Sequence, residues 1–246
     1  MAERSIRQDA AGWVGILRDL GLKWGEATLV MGEGAELLAE SYQRAGSPPV
    51  AHQRPGYLVL ARERQGDRLD QVGPLATGLA NDSLDLVVMR HAVPKQAMLA
   101  RALREAYRVL KPGGGVLVSD VDVNAMIDST THRYPSRLQY TVVPDVLPLE
   151  MARHVASADL SVEVVRASFK DVDAYDVDQE FGEFDDPDAY WEFVRERGWR
   201  SFDLMTEAQV EMVLSTLRRL LPRLASTRGL VEREPWHVTR GFKPPG

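Results

Sequence analysis

The sequence predicts an α/β protein built on a doubly wound, mostly parallel sheet, and three observations carry that expectation. Short apolar runs, "TLVM" at 28–31, "SLDLVVM" at 83–89 and "GGGVLVSDVDV" at 113–123, recur with helix-forming stretches between them. Strands that alternate with helices at this spacing need βαβ crossovers, which set parallel strands side by side with helices on both faces. A Gly-X-Gly pair follows the first run directly, in "MGEG" at 31–34. No low-complexity linker divides the 246 residues, 44% of them hydrophobic, which suffice for one large core with a sizeable insertion.

Each element has its own signal. Trp13, Ile16, Leu17 and Leu20 recur at helical spacing, so an amphipathic helix precedes the first strand. Helix formers from Ala35 to Arg44 run into "RAGSPP", a stop built from Gly and Pro. The run at 83–89 is the strongest strand in the chain. After it, Leu99, Leu103, Ala106 and Leu110 mark one helix face that ends at "KPGGG". Residues 124–160 have mixed periodicity and read as an insertion or lid over the sheet edge. "SVEVVRAS" at 161–168 alternates like a strand. "DQEFGEFDDPD" at 178–188 reads as a solvated acidic face with a helix start, since its acids follow no calcium-loop spacing. "DDPDAYWEFVRERG" at 185–198 opens a helix with Asp and Pro in place. "TEAQVEMVLSTLRRLL" at 206–221 is an apolar-striped helix with Thr206 and Gln209 as a capping box. "WHVTRGFKP" at 236–244 is a last strand.

Composition narrows the function classes. With no cysteine there is no disulfide framework, thiolate nucleophile or Cys-based metal site, and no metal is expected. The charged N-terminus has no apolar core of a signal peptide, and no run of about 18 apolar residues spans a bilayer. These features predict a cytoplasmic protein without a membrane partner. A net charge of −6 with no basic block disfavours nucleic acid, which needs Lys and Arg to displace phosphate counterions. A small molecule or another protein is the expected partner.

Three blocks, "LGLKWGEATLVMGEG", "NDSLDLVVMRHAV" and "ALREAYRVLKPGGGVLVSD", resemble those of class I S-adenosylmethionine-dependent methyltransferases of the small-molecule type. The match covers roughly residues 15–122 and is most specific in "LREAYRVLKPGGGVLVSD". The resemblance implies one Rossmann-like domain of seven strands, the last antiparallel, in which the runs at 83–89 and 113–123 are the fourth and fifth. It also implies a cofactor site whose four devices are altered here. Gly32 and Gly34 remain, but Glu36 replaces the third glycine and Val30 the acid two residues before the first. His52 stands at the place of the ribose-binding carboxylate, and Pro74 or Leu75 at that of the adenine-binding acid. A second register makes "YLVLA" at 57–61 the second strand and Glu63 the ribose acid, at the expense of room for a following helix and strand. Together the departures favour a cradle that no longer holds the usual cofactor.

His91 follows the strongest strand, at the end of the sheet where open α/β folds bind ligands. Imidazole titrates near neutrality, so His91 is a candidate acid–base residue; the alternative is a histidine bonded to a neighbouring loop. Asp120 and Asp122 end the next strand, where Asp120 can orient His91 or either can cap a turn. His132, Tyr134, Arg137 and Tyr140 lie in the insertion, with His132 and Tyr140 the candidate substrate contacts. Trp191 and Trp199 are expected to pack the C-terminal helix.

These residues lead to a methyltransferase-like protein of small-molecule metabolism, repurposed for cyclisation, rearrangement or isomerisation without S-adenosylmethionine. An active S-adenosylmethionine-dependent methyltransferase with an unusual cofactor site is one alternative. A non-catalytic subunit supporting a true methyltransferase is another, and a homo-oligomer is compatible with each.

Overall fold

The computed structural model describes residues 20–21, 28–32, 57–61, 75–93, 96–225 and 229–246. Among them six strands form one sheet: β1 (Thr28–Gly32), β2 (Tyr57–Ala61), β3 (Leu84–Arg90), β4 (Leu110–Val121), β5 (Lys170–Phe184) and β6 (Leu230–Phe242). Their order is β2-β1-β3-β4-β6-β5. β1 to β4 pair in parallel, and β6 pairs antiparallel with β4. The doubly wound, mostly parallel sheet is therefore as expected, with the last strand reversed; residues 62–74, where a seventh strand would fall, lie outside the described residues.

The chain forms two compact units. One comprises Ala2–Val121, Val155–Val177 and Trp236–Gly246, the other Asp122–His154 and Asp178–Pro235, so the division falls within β5 and within β6. In the first unit, every residue of β1 is buried and β3 is buried but for a half-buried Asp85, as a strand covered on both faces requires. Helix α1 (Gln96–Val109) returns the chain from the end of β3 to the start of β4. Its Leu99, Ala102, Leu103 and Ala106 recur at helical spacing and join Leu29, Met31, Val87, Met89, Val116 and Val118 in one core.

The second unit holds helices α2 (Val123–Ile127), α3 (Leu138–Val142), α4 (Leu147–Met151), α6 (Pro187–Arg197) and α7 (Glu207–Leu224). Asp186 caps α6 by accepting from the amide of Asp188, with Pro187 in the first turn. Thr206 and Gln209 form the expected capping box of α7, which buries Val213, Leu214, Leu217, Leu221 and Leu224. Trp191 donates to the Leu214 carbonyl at 3.4 Å, and Trp199 is buried, so both are packing residues.

Three expectations need correction. The stretch at 161–168 is not a strand: it lies in helix α5 (Ser157–Arg166) of the first unit and the turn after it. Leu160 and Val164, one turn apart, are buried in the core while Val162 and Val165 are exposed, so burial follows the helical period. The acidic run from Asp178 continues β5 to Phe184 before α6 begins. Asp178 and Glu180 are exposed on either side of a buried Gln179, which is strand alternation, and Glu180 accepts from Arg233 of β6 at 2.8 Å. The second strand is Tyr57–Ala61, so His52 precedes it instead of ending it. All five residues of "YLVLA" pair with β1, so this run is the second strand, as in the alternative register; Glu63 lies outside the described residues.

Candidate functional site

β3 and β4 run in parallel, with Met89 opposite Val118 and Arg90 opposite Ser119, so His91 leaves β3 beside the carboxyl end of β4. There the backbone of His91 takes φ 43°, in the left-handed region that costs a non-glycine residue about 1 kcal/mol. Its backbone and its ring are both bonded. The His91 amide donates to the Ser119 carbonyl at 2.8 Å, and ring Nδ1 lies 2.8 Å from Asp120 Oδ1. Both side chains are buried, at 6% and 3% exposure. Asp120 is itself fixed: Oδ1 also accepts from the amide of Val121 at 2.8 Å, and Oδ2 from that of Val155 at 2.9 Å. With a carboxylate facing it, Nδ1 is the protonated ring nitrogen, which leaves Nε2 as the atom that can take up or give a proton.

Of the other residues singled out in the sequence, Asp122 caps α2 by accepting from the amide of Ala125. In the second unit His132 is exposed, with Nε2 3.3 Å from the Arg223 carbonyl near the end of α7. Tyr140 is buried, and its hydroxyl lies 2.9 Å from Ser201 Oγ. Burial, helped by the charge of Glu150, pushes the Tyr140 hydroxyl's pKa above its ordinary value, so it acts as a neutral group. Gly34, Glu36, His52 and Pro74 lie outside the described residues.

The described part of the cofactor loop is small. Gly32 has φ 100°, and a Cβ there would lie 1.9 Å from the carbonyl oxygen of Arg90. What this glycine admits is the backbone of the neighbouring strand. Val30 is fully buried and has no side-chain acceptor for an ammonium group. Neither residue has a polar side chain to offer a ligand.

Arg90 escaped the sequence reading. It is 2% exposed, and its guanidinium carbon sits 4.2 Å from the centre of the Trp236 ring. A charged residue closing the apolar run "LDLVVM" was the available signal. In the second unit, Glu232 accepts from the hydroxyl of Tyr190 and from Trp199 Nε1. Burial raises its pKa to about 8, against those hydrogen bonds. Glu150, fully buried, accepts from His154 at 3.0 Å. Burial opposes its charge, but His154, Arg200 and Arg153 outweigh that and hold its pKa below the usual value.

Residues 29–118 match a family model described as a methyltransferase domain. Among solved structures, a protein assigned as a methyltransferase of an antibiotic biosynthesis pathway in Anabaena variabilis is 16% identical, with a TM-score of 0.63 over 96% of this chain and 99% of its own. A protein assigned as a methyltransferase from Bacillus halodurans is 17% identical, with a TM-score of 0.50 over 96% and 99%. A phosphoethanolamine N-methyltransferase of Haemonchus contortus is 13% identical, with a TM-score of 0.48 over 94% of this chain, which spans only 52% of that protein. At these identities the likeness describes the fold.

Proposed function

We propose that this chain, which has the class I methyltransferase fold and matches a methyltransferase-domain family model over residues 29–118, is an enzyme of small-molecule chemistry with His91 as its proton-transfer group. The observation that carries this is the buried 2.8 Å bond from His91 to Asp120 at a strained backbone position. Strained residues persist where the surroundings over-determine them, and they cluster at working sites. Asp120 is the positioning residue: it fixes the tautomer that presents Nε2 to a substrate. A group so placed can abstract a proton at one atom and return it at another, as isomerisation and many rearrangements require, while confinement of the substrate supplies part of the barrier.

The reaction we favour needs no S-adenosylmethionine. Val30 offers no acceptor, the opening at Gly32 faces the Arg90 carbonyl, and Glu36 stands where a third glycine is expected. No step is assigned to that cofactor.

A second reading, methyl transfer with His91 deprotonating the accepting atom, is favoured by the family match and by β2. Glu63 follows that strand by two residues in the sequence, the spacing that the family resemblance gives a ribose-binding acid.

Incubating the chain with a small-molecule metabolite pool, with and without S-adenosylmethionine, separates the two by mass spectrometry. Conversion without the cofactor, lost in His91→Ala, is the expected result. Products one methyl group heavier, formed only with the cofactor, would establish the second reading. No conversion under either condition would sink the enzymatic proposal and favour a supporting subunit.

A further inference from the structure

Helix α1 carries Arg101, Arg104 and Arg108, a spacing of three and four residues that aligns them on one stripe. With Leu75 and Glu105 they line an open groove of about 260 Å³ in the first unit. Arg108 is locked: Nε and Nη2 donate to the two carboxylate oxygens of Glu105 at 2.8 and 2.7 Å, and Nη1 donates to Asn81 at 2.6 Å. The amide and hydroxyl of Thr77 also donate to Glu105, at 2.7 and 2.6 Å. The hydrogen bonds from Arg108, against the opposing effect of burial, bring the Glu105 pKa down to about 2. Glu105 is therefore ionised at any physiological pH, its oxygens are engaged, and its charge is matched by Arg108. Arg101 and Arg104 are exposed, and neither makes an ion pair or hydrogen bond among the described residues. Among the described residues they leave two positive charges without an acidic partner on one groove of a chain whose net charge is −6.

We propose that this groove binds the phosphate or diphosphate end of a phosphorylated small molecule. A guanidinium presents a planar fork that matches phosphate oxygens two at a time, and here two exposed forks, Arg101 and Arg104, stand beside one already held by Glu105. Pockets that enclose whole ligands run to roughly 300–1,000 Å³, so this groove suits the anionic end of a molecule whose remainder stays outside. From Arg101 to Arg104 the helix rises about 4.5 Å, close enough for one phosphate group or two linked ones to meet both forks. α1 runs back from the carboxyl end of β3 towards the start of β4. Arg108, bonded to Asn81 just before β3, thus lies at the other end of the strands from His91. A ligand held here anchors or regulates and takes no part in proton transfer, so the proposal stands apart from the assignment of His91.

Isothermal titration with sodium pyrophosphate at low salt tests it. Binding at sub-millimolar concentration is expected, weakened at least about tenfold in Arg101→Gln/Arg104→Gln and weakened by added salt, as exposed charges are screened. Both positions are exposed, so the variant should keep the wild-type melting temperature, and His91→Ala should bind like wild type. Any of three results would overturn the proposal: no binding at about 10 mM pyrophosphate, equal binding by the double variant, or tighter binding of hexaglutamate, which would indicate an acidic protein partner instead.

Discussion

Asp120 accepts the ring N–H of His91 over 2.8 Å while His91 itself stands at φ 43°, so one carboxylate fixes both the tautomer and the direction of a strained residue. The same carboxylate takes two backbone amides, those of Val121 and Val155. These three partners are all donors.

That donor set makes Asp120→Asn a sharp test. An asparagine has one oxygen and one NH₂ group, so whichever way it turns its NH₂ faces an N–H. The clash should cost about 1–3 kcal/mol in urea unfolding. It should also remove the slowly exchanging, downfield ring N–H proton of His91 from the NMR spectrum. If that proton is present in the variant, or absent from wild type, Asp120 does not orient His91.

His91→Ala removes the proposed proton-transfer group and should lower turnover by at least about a hundredfold, the usual size of a general acid–base contribution. The circular dichroism spectrum should stay near wild type, while the melting temperature should fall modestly, since a buried ring and its bond to Asp120 are lost. Activity within a few-fold of wild type would move the chemistry to confinement of the substrate.

S-adenosylmethionine binding decides between the two reaction classes. Ligand at about a hundred times its dissociation constant stabilises a folded site by about 2.7 kcal/mol, or roughly 5 to 10 °C in a domain of this size. The favoured reading expects no such shift at sub-millimolar cofactor. A shift of that size would promote methyl transfer.

Strong local patterns made much of this fold legible in the sequence. β3 and β4 are buried on both faces and read as continuous apolar runs, and the capping box of α7 was visible as Thr206 and Gln209 three residues apart. "SVEVVRAS" misled because its apolar residues alternate over four positions, while Val164, with Leu160 before it, is buried in the core and Val162 and Val165 are exposed. Over so short a run, periods of 2 and 3.6 cannot be told apart. Arg90 was missed for another reason: the ring that covers it, Trp236, is far away in sequence, and no local pattern announces such a contact. The second strand follows His52 because "YLVLA", with Tyr, Val and two Leu, has the propensity and apolar character of a strand, and that outweighs the short stretch left before β3.

Gly32 and Gly113 both have positive φ, at 100° and 80°, yet they should respond differently to alanine. A Cβ on Gly32 meets the Arg90 carbonyl oxygen at 1.9 Å, a backbone atom inside the sheet, whereas one on Gly113 meets nothing within 4 Å. Gly32→Ala should therefore cost more than about 3 kcal/mol or fail to fold, through overpacking as well as strain. Gly113→Ala should cost only the conformational term of about 1 kcal/mol. Equal losses in urea melts would mean that Gly32 is not held against β3.

Glu232 gives a prediction with a defined sign. Its pKa is raised by burial from an ordinary 4.5 to about 8, so between those values the folded chain keeps a proton that the unfolded chain has released. Folding then takes up a proton, and stability must fall as pH rises through that window. The stabilising share is complete below about 4.5 and gone above about 8, and it amounts to a few kcal/mol at most. Glu232→Gln keeps the shape and an acceptor for the hydroxyl of Tyr190 and the indole N–H of Trp199, but it cannot ionise. Wild type should therefore lose stability between pH 5 and pH 8 in urea melts, and the glutamine variant should lose markedly less. If the two curves run parallel across that range, Glu232 is ionised in the folded protein and its burial is offset by partners other than Tyr190 and Trp199.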